Sequence, residues 1–152
     1  MARALLEGIR HADLINFFGN RSYGGAGLAE GTNAHTLKTT YPVGFEVAGQ
    51  AYHKAATDNI AMTACAEQAD GTTCYYLVTV DAAGTVTTTK GTATALPEAP
   101  DSEAILGAFK IVTDGAAFTS GTTDLGAATV TDTYANFGYY PVDGSVAGFT
   151  FA

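Results

Sequence analysis

Cys74-Tyr75-Tyr76-Leu77-Val78-Thr79-Val80 runs into Asp81-Ala82-Ala83-Gly84 and leaves through Thr85-Val86-Thr87-Thr88-Thr89-Lys90. Both arms are filled with β-branched and aromatic side chains, which fit a pleated, half-buried surface. Asp81 is placed to open a type I turn and Gly84 to take the left-handed position that closes it. The stretch therefore reads as a β-hairpin, and the rest of the chain is read against it.

Upstream, Val43, Phe45 and Val47 alternate with Gly44 and Glu46, and Ala48-Gly49 permits a turn into Gln50 to Lys54. His35 to Thr40 and Ile60 to Cys65 are further strand candidates, and Thr57-Asp58-Asn59 reads as an Asx-type turn between them. Downstream, Pro97 and Pro100 bracket a connector. Asp101 to Leu106 predicts one helical turn with Asp101 or Ser102 as its cap. Gly107 to Thr113 reads as a buried strand closed by Asp114-Gly115, Thr119 to Asp124 as a turn-rich segment, and Thr129 to Tyr134 as a last core strand. Tyr75, Tyr76, Phe109 and Phe118 belong to the core of this body or its lining. Parallel crossovers need a dozen or more connecting residues, usually helical, and the middle of the chain offers none. The expected fold is mainly β: an antiparallel β-sandwich or a small β-barrel.

The two ends differ from that body. Residues 1–33 read as an N-terminal arm, 34–136 as the β domain and 137–152 as an aromatic C-terminal tail. Leu5, Leu6, Ile9 and Ala12 recur at helical spacing, so Ala4 to Ile15 predicts a short helix, which Gly8 weakens. Gly24 to Gly31 is glycine-rich, and such a stretch seldom holds regular structure alone. Fully extended, the arm would reach about 100 Å. Its apolar residues, with those of the tail, need cover either from their own domain or from neighbouring subunits. Aromatic residues are enriched at interfaces because they bury much area at low entropy cost. The second placement makes Leu5, Leu6, Ile9, Phe17, Phe18, Tyr23, Tyr139, Tyr140, Phe149 and Phe151 the candidate assembly interface.

Composition narrows the partners. Of the 152 residues only 14% are charged and the formal net charge is −8, with Lys and Arg together contributing seven residues. Nucleic-acid affinity rests on Lys and Arg neutralising phosphates, so nucleic acid is not an expected partner, and an acidic exterior also resists anionic membranes. No apolar run approaches the ~20 residues of a membrane span. Glu7, Arg10, His11 and Asp13 interrupt the region where a signal peptide keeps its apolar core, so synthesis in a cytoplasm is expected. Cys65 and Cys74 flank a loop that allows a disulfide, but a cytoplasmic origin favours free thiols.

Catalytic signatures are weak. His11, His35 and His53 fall in different elements, without metal-ligand spacing. None of Ser22, Ser102, Ser120 or Ser145 sits in a nucleophile elbow. Cys65 or Cys74 with His53 imitates a nucleophile and base, yet nothing else supports a triad. Asp58, Asp70, Asp81, Asp114 and Asp143 are accounted for by turn chemistry before paired-carboxylate catalysis. Gly25-Ala26-Gly27-Leu28 lacks the preceding strand and the Lys-Ser/Thr of a phosphate loop. Asn20-Arg21-Ser22 matches a glycosylation sequon by chance. The expectation is a protein that is not an enzyme and uses no cofactor.

Within residues 55–113, the segments Ala55 to Ala64, Tyr75 to Asp81, Thr88 to Ala93 and Ile105 to Thr113, with a weaker match at Phe118 to Leu125, resemble a set found in virion proteins of tailed bacteriophages. The resemblance covers about half of the chain. It implies a structural role, as a head decoration (cement) protein or another virion component, and carries over no catalytic residue. On that reading the chain sits on the outer head surface of the virion, its partners being the major capsid protein and copies of itself. Shell symmetry makes a trimer at three-fold positions attractive. The alternative is a tail, fibre or adhesion module that recognises surface carbohydrate through exposed Tyr and Asp on its loops.

Overall fold

The computed structural model describes residues 20–136. They form ten strands: β1 (Arg21–Ser22), β2 (Leu28–Glu30), β3 (Thr36–Thr39), β4 (Val43–Val47), β5 (Gln50–Lys54), β6 (Thr57–Ala61), β7 (Thr73–Asp81), β8 (Val86–Lys90), β9 (Glu103–Thr113) and β10 (Val130–Asn136). These make three sheets, ordered β10-β9-β7-β8, β1-β4-β5 and β2-β3-β6, and every pairing is antiparallel. The layered, mainly β fold expected from the sequence is present, and none of the sheets closes into a barrel.

The central sheet is built on β7. Seven consecutive residues, Cys74 to Val80, are buried. A strand buried on both faces reads as a continuous apolar run instead of an alternation, and this one does. Its Cys74, Tyr76, Val78 and Val80 join Ala104, Leu106, Phe109 and Ile111 of β9 in one core, against Leu28, Leu37, Val43, Phe45 and Val47 of the two smaller sheets. Tyr76 and Phe109, cross-strand partners, stack with ring centroids 4.9 Å apart, and Phe118 meets Tyr76 edge-on at 5.8 Å. On the opposite face Tyr75, Ala108 and Ala135 are packed against by Leu96, which precedes Pro97 in the connector between β8 and β9.

The hairpin turn forms as its residues dictate. Gly84 has φ +84°, its N–H donates to Asp81 O, and Asp81 Oδ1 accepts from Ala83 N and Thr85 N. The β4–β5 hairpin turns through Ala48 (φ +52°) and Gly49 (φ +79°), both positive as a two-residue type I′ turn demands. In β9, Leu106 is an extra residue between the pairs Val78↔Gly107 and Thr79↔Ile105. This bulge brings Gly107 so close to its neighbours that a Cβ there would lie 2.5 Å from Ala135 O and 2.6 Å from Leu28 Cδ1. Only glycine fits.

Four local expectations are corrected. Asp101 to Leu106 is not a helical turn: from Glu103 onward it extends β9, because Ala104 and Leu106 bury their side chains and Glu103 and Ala104 pair with Asp81 and Val80. Thr57-Asp58-Asn59 is not a turn between strands but the start of β6, with a bulge where Asn59 takes φ +57°. The strand expected over Ile60 to Cys65 leaves the ladder after Ala61. Residues 20–33, placed with the arm, hold β1 and β2 and belong to the body; Ala26 and Leu28 are buried in its core, which a flexible glycine-rich reading of 24–31 overlooked. The helix expected over Ala4 to Ile15 and the tail 137–152 lie outside the described residues.

Buried polar groups test how the core is held. Gln68 is buried, donates through Nε2 to Thr72 O (3.0 Å) and Ile111 O (3.2 Å), and accepts from the Tyr76 hydroxyl (3.0 Å). Its backbone exchanges two hydrogen bonds with Phe118. Tyr134 is the contrast: its buried hydroxyl lies near the Asp132 carboxylate without a close hydrogen bond, and burial first, then that carboxylate, keeps it un-ionised. Gln68→Leu, which leaves the buried Tyr76 hydroxyl without its acceptor and breaks the side-chain link to β9, is predicted to lower stability by about 2 kcal/mol in chemical denaturation. Tyr134→Phe should change it by no more than about 0.5 kcal/mol. A reversed order of the two effects would show that Gln68 is not the polar anchor of the core.

Candidate functional site

Tyr23 is the one candidate interface residue that falls within the described body. Strand alternation decides where it points. Ser22, paired with Phe45, faces inward and its Oγ donates to Ile105 O at 2.7 Å. Arg21 and Tyr23 consequently face outward, where Arg21 pairs with Glu46 and the Tyr23 N–H donates to Gly44 O at 2.8 Å. The same alternation puts Ala51 and His53 of β5, the partners of Glu46 and Gly44, on this outer face. Gly44 lets the tyrosine ring lie against the sheet, since a Cβ there would stand 3.4 Å from Tyr23 Cδ2.

Three side chains interlock on this face. Arg21 Nη2 approaches Glu46 Oε2 at 3.1 Å, the Tyr23 hydroxyl donates to the same oxygen, and the Arg21 guanidinium lies 5.7 Å from the Tyr23 ring centroid. The hydrogen bond from Tyr23 and then that from Arg21 hold the Glu46 carboxyl below its ordinary pKa, and the hydrogen bond to Glu46 raises that of the Tyr23 phenol. The cluster fixes the ring in place while leaving 43% of the residue exposed. Tyr41 is exposed to 61% and rests against Gly27, where a Cβ would meet its Cδ2 at 2.8 Å. These are the two exposed large apolar residues among the described ones.

Both ends of the described chain are tied to the body. Asn20 is fastened to the body through Oδ1, which accepts from Ala48 N, and Nδ2, which donates to Asp101 O. Asn136 pairs with Gly107, its Oδ1 accepts from Leu28 N at 2.7 Å, and its Cβ lies 3.5 Å from the Cβ position of Gly25. Tyr23 follows closely on Asn20 in the chain. Leu5, Leu6, Ile9, Phe17, Phe18, Tyr139, Tyr140, Phe149 and Phe151 lie outside the described residues.

The residues weighed for chemistry do not assemble into a centre. Among the described residues no three His, Cys, Asp or Glu side chains gather as a metal site. His35 sits at positive φ (+53°) in a loop, far in the chain from His53 on β5. Cys65 and Cys74 are free thiols, directed to Thr88 O and Gly91 O, and burial pushes the Cys74 thiol up. Asp81 holds its own turn N–H groups as its position foretold, whereas Asp70 accepts from Gly115 N of a distant turn. Arg21, Tyr41 and Glu46 were not singled out from sequence; the alternation of Glu46 with Val43, Phe45 and Val47 was the signal that it faces outward. Compared with known proteins, the chain matches no family model, no curated protein and no solved structure.

Because its folded pKa is depressed, Glu46 keeps the cluster fully formed above the ordinary carboxylate range and loses it as pH falls through the lowered value. Tyr23→Phe removes the larger of the two causes. A carboxyl NMR titration should show the Glu46 midpoint below that of an ordinary glutamate, moving upward in the variant. A midpoint that does not respond would mean that the phenol is not bonded to Glu46 in solution.

Proposed function

We propose that the chain is a decoration protein of a tailed-phage head: a non-catalytic, cofactor-free virion component that binds the assembled shell from outside and bridges neighbouring subunits. The observation that carries this reading is Tyr23, a fixed and exposed aromatic on the outer face of β1-β4-β5, close in the chain to the aromatic-bearing segment 1–19. The resemblance over residues 55–113 supports it, with β7 and β9 within the matched stretch. So does the acidic surface, which favours protein over nucleic acid as partner.

The physical logic is that of surface area and mass action. A lasting contact buries more than about 1,000 Å², which a face of three short strands does not supply alone. On this reading the terminal segments enlarge it. A ligand that binds the assembled shell and not the free subunit stabilises the shell in proportion to its occupancy. The major capsid protein and further copies of this chain are the partners of this reading.

A second reading, a tail or fibre module that binds surface carbohydrate, draws on the exposed rings of Tyr41 and Tyr23 beside the Glu46 carboxylate. Binding to a glycan array that is lost in Tyr41→Ala would favour it.

Removing residues 1–19 leaves Asn20 and its anchors in place, so the body is predicted to keep its melting temperature while binding to purified particles falls at least about tenfold. Unchanged occupancy of the shortened chain, measured by co-sedimentation with particles, contradicts the proposal.

A further inference from the structure

The outer edge of β5 is open. In a two-residue hairpin the closing pair, here Val47↔Gln50, is hydrogen-bonded, so Gln50, Tyr52 and Lys54 turn their N–H and C=O toward β4. Ala51 and His53 turn theirs away. Both residues are exposed, and their outward groups have no partner among the described residues.

Other edges are obstructed at least in part. Along β8 the Thr88 N–H donates to Thr63 Oγ1, and Lys90 Nζ donates to Ala66 O and Glu67 O. The β6 edge carries the Asn59 bulge, a device that resists strand addition. At β10, residues 25–28 lie against Asn136, and β2 is three residues long with its Leu28 N–H already taken. By contrast β5 keeps unbroken register with β4 over five residues and contains no proline.

We propose that β5 pairs with β5 of a second copy of this chain, antiparallel, about a two-fold axis through Tyr52. This register places Ala51 opposite His53 of the second copy and the reverse, so the four outward backbone groups on each strand find partners in four hydrogen bonds. Lys54 falls opposite Gln50, and no like charges meet. Centring the axis on Ala51 or His53 instead halves the hydrogen bonds, and the second choice sets histidine against histidine. The chosen register joins β1-β4-β5 to its copy as one six-stranded sheet.

The contact is smaller than the ~1,200 Å² of stable complexes, so it is concentration-dependent in solution. It joins copies in pairs, which complements any three-fold grouping; its use on a shell, where neighbours are held close, rests on the decoration reading.

Sedimentation equilibrium of the full chain up to about 1 mM, with amide exchange at low and high concentration, tests it. The expected result is a monomer–dimer equilibrium, with the Ala51 and His53 amides protected only at high concentration. His53→Pro and Ala51→Pro each remove one outward N–H and leave the β4 ladder whole, so each should weaken the dimer about tenfold or more. A monomer throughout, or a dimer indifferent to a folded proline variant, overturns the proposal. If neither variant folds, the concentration dependence of the two wild-type amides decides. A monomeric chain that still binds particles sinks this contact alone, and a dimer that ignores particles sinks the decoration reading alone.

Discussion

Burial of β7 on both faces is the constraint from which the rest of the structure follows. A strand whose alternate side chains are Tyr76, Val78 and Val80 on one face and Tyr75, Leu77 and Thr79 on the other needs cover on each. The hairpin partner β8 and the long strand β9 satisfy its edges but neither face. The two smaller sheets supply one cover, and Leu96 with its connector contributes to the other. Gln68 then fastens the segment preceding β7 to β9 and to Phe118, so the layers are joined by polar bonds as well as by apolar contact.

The parts of this arrangement legible in the sequence are those governed by local chemistry. The Asp81–Gly84 turn and the alternation of Val43, Phe45 and Val47 each announce themselves within a few residues. The parts that were not legible depend on tertiary contacts. Asp101-Ser102-Glu103 has the composition of a helix cap, but pairing with β7 overrides that preference. The glycine-rich run around β2 looks flexible because its anchors are distant: Asn136 binds Leu28, and the Thr40 N–H and Oγ1 both donate to Gly27 O. The Asp58-Asn59 pair does bond nearby backbone, but it serves the loop at Thr32 and Asn33 from a bulged strand.

The surface was legible only in outline. Tyr23 stood out as an aromatic outside the obvious strands, whereas its interlock with Arg21 and Glu46 requires the β1–β4 register. The open edge of β5 likewise follows from sheet order, which no local pattern states. Together these features describe a stable β body that keeps its distinctive groups, an immobilised aromatic and a free strand edge, on one small sheet. On the decoration reading these are the groups that meet other proteins.

On the decoration proposal this body is carried on the outside of a phage head. The most direct measurement is a reconstruction of purified particles by electron microscopy, with the chain first identified in them by mass spectrometry. Density matching residues 20–136 is expected across the head surface, with the Tyr23 face turned toward the shell. Absence of the chain from the particles, or density for it confined to the tail, would contradict the account.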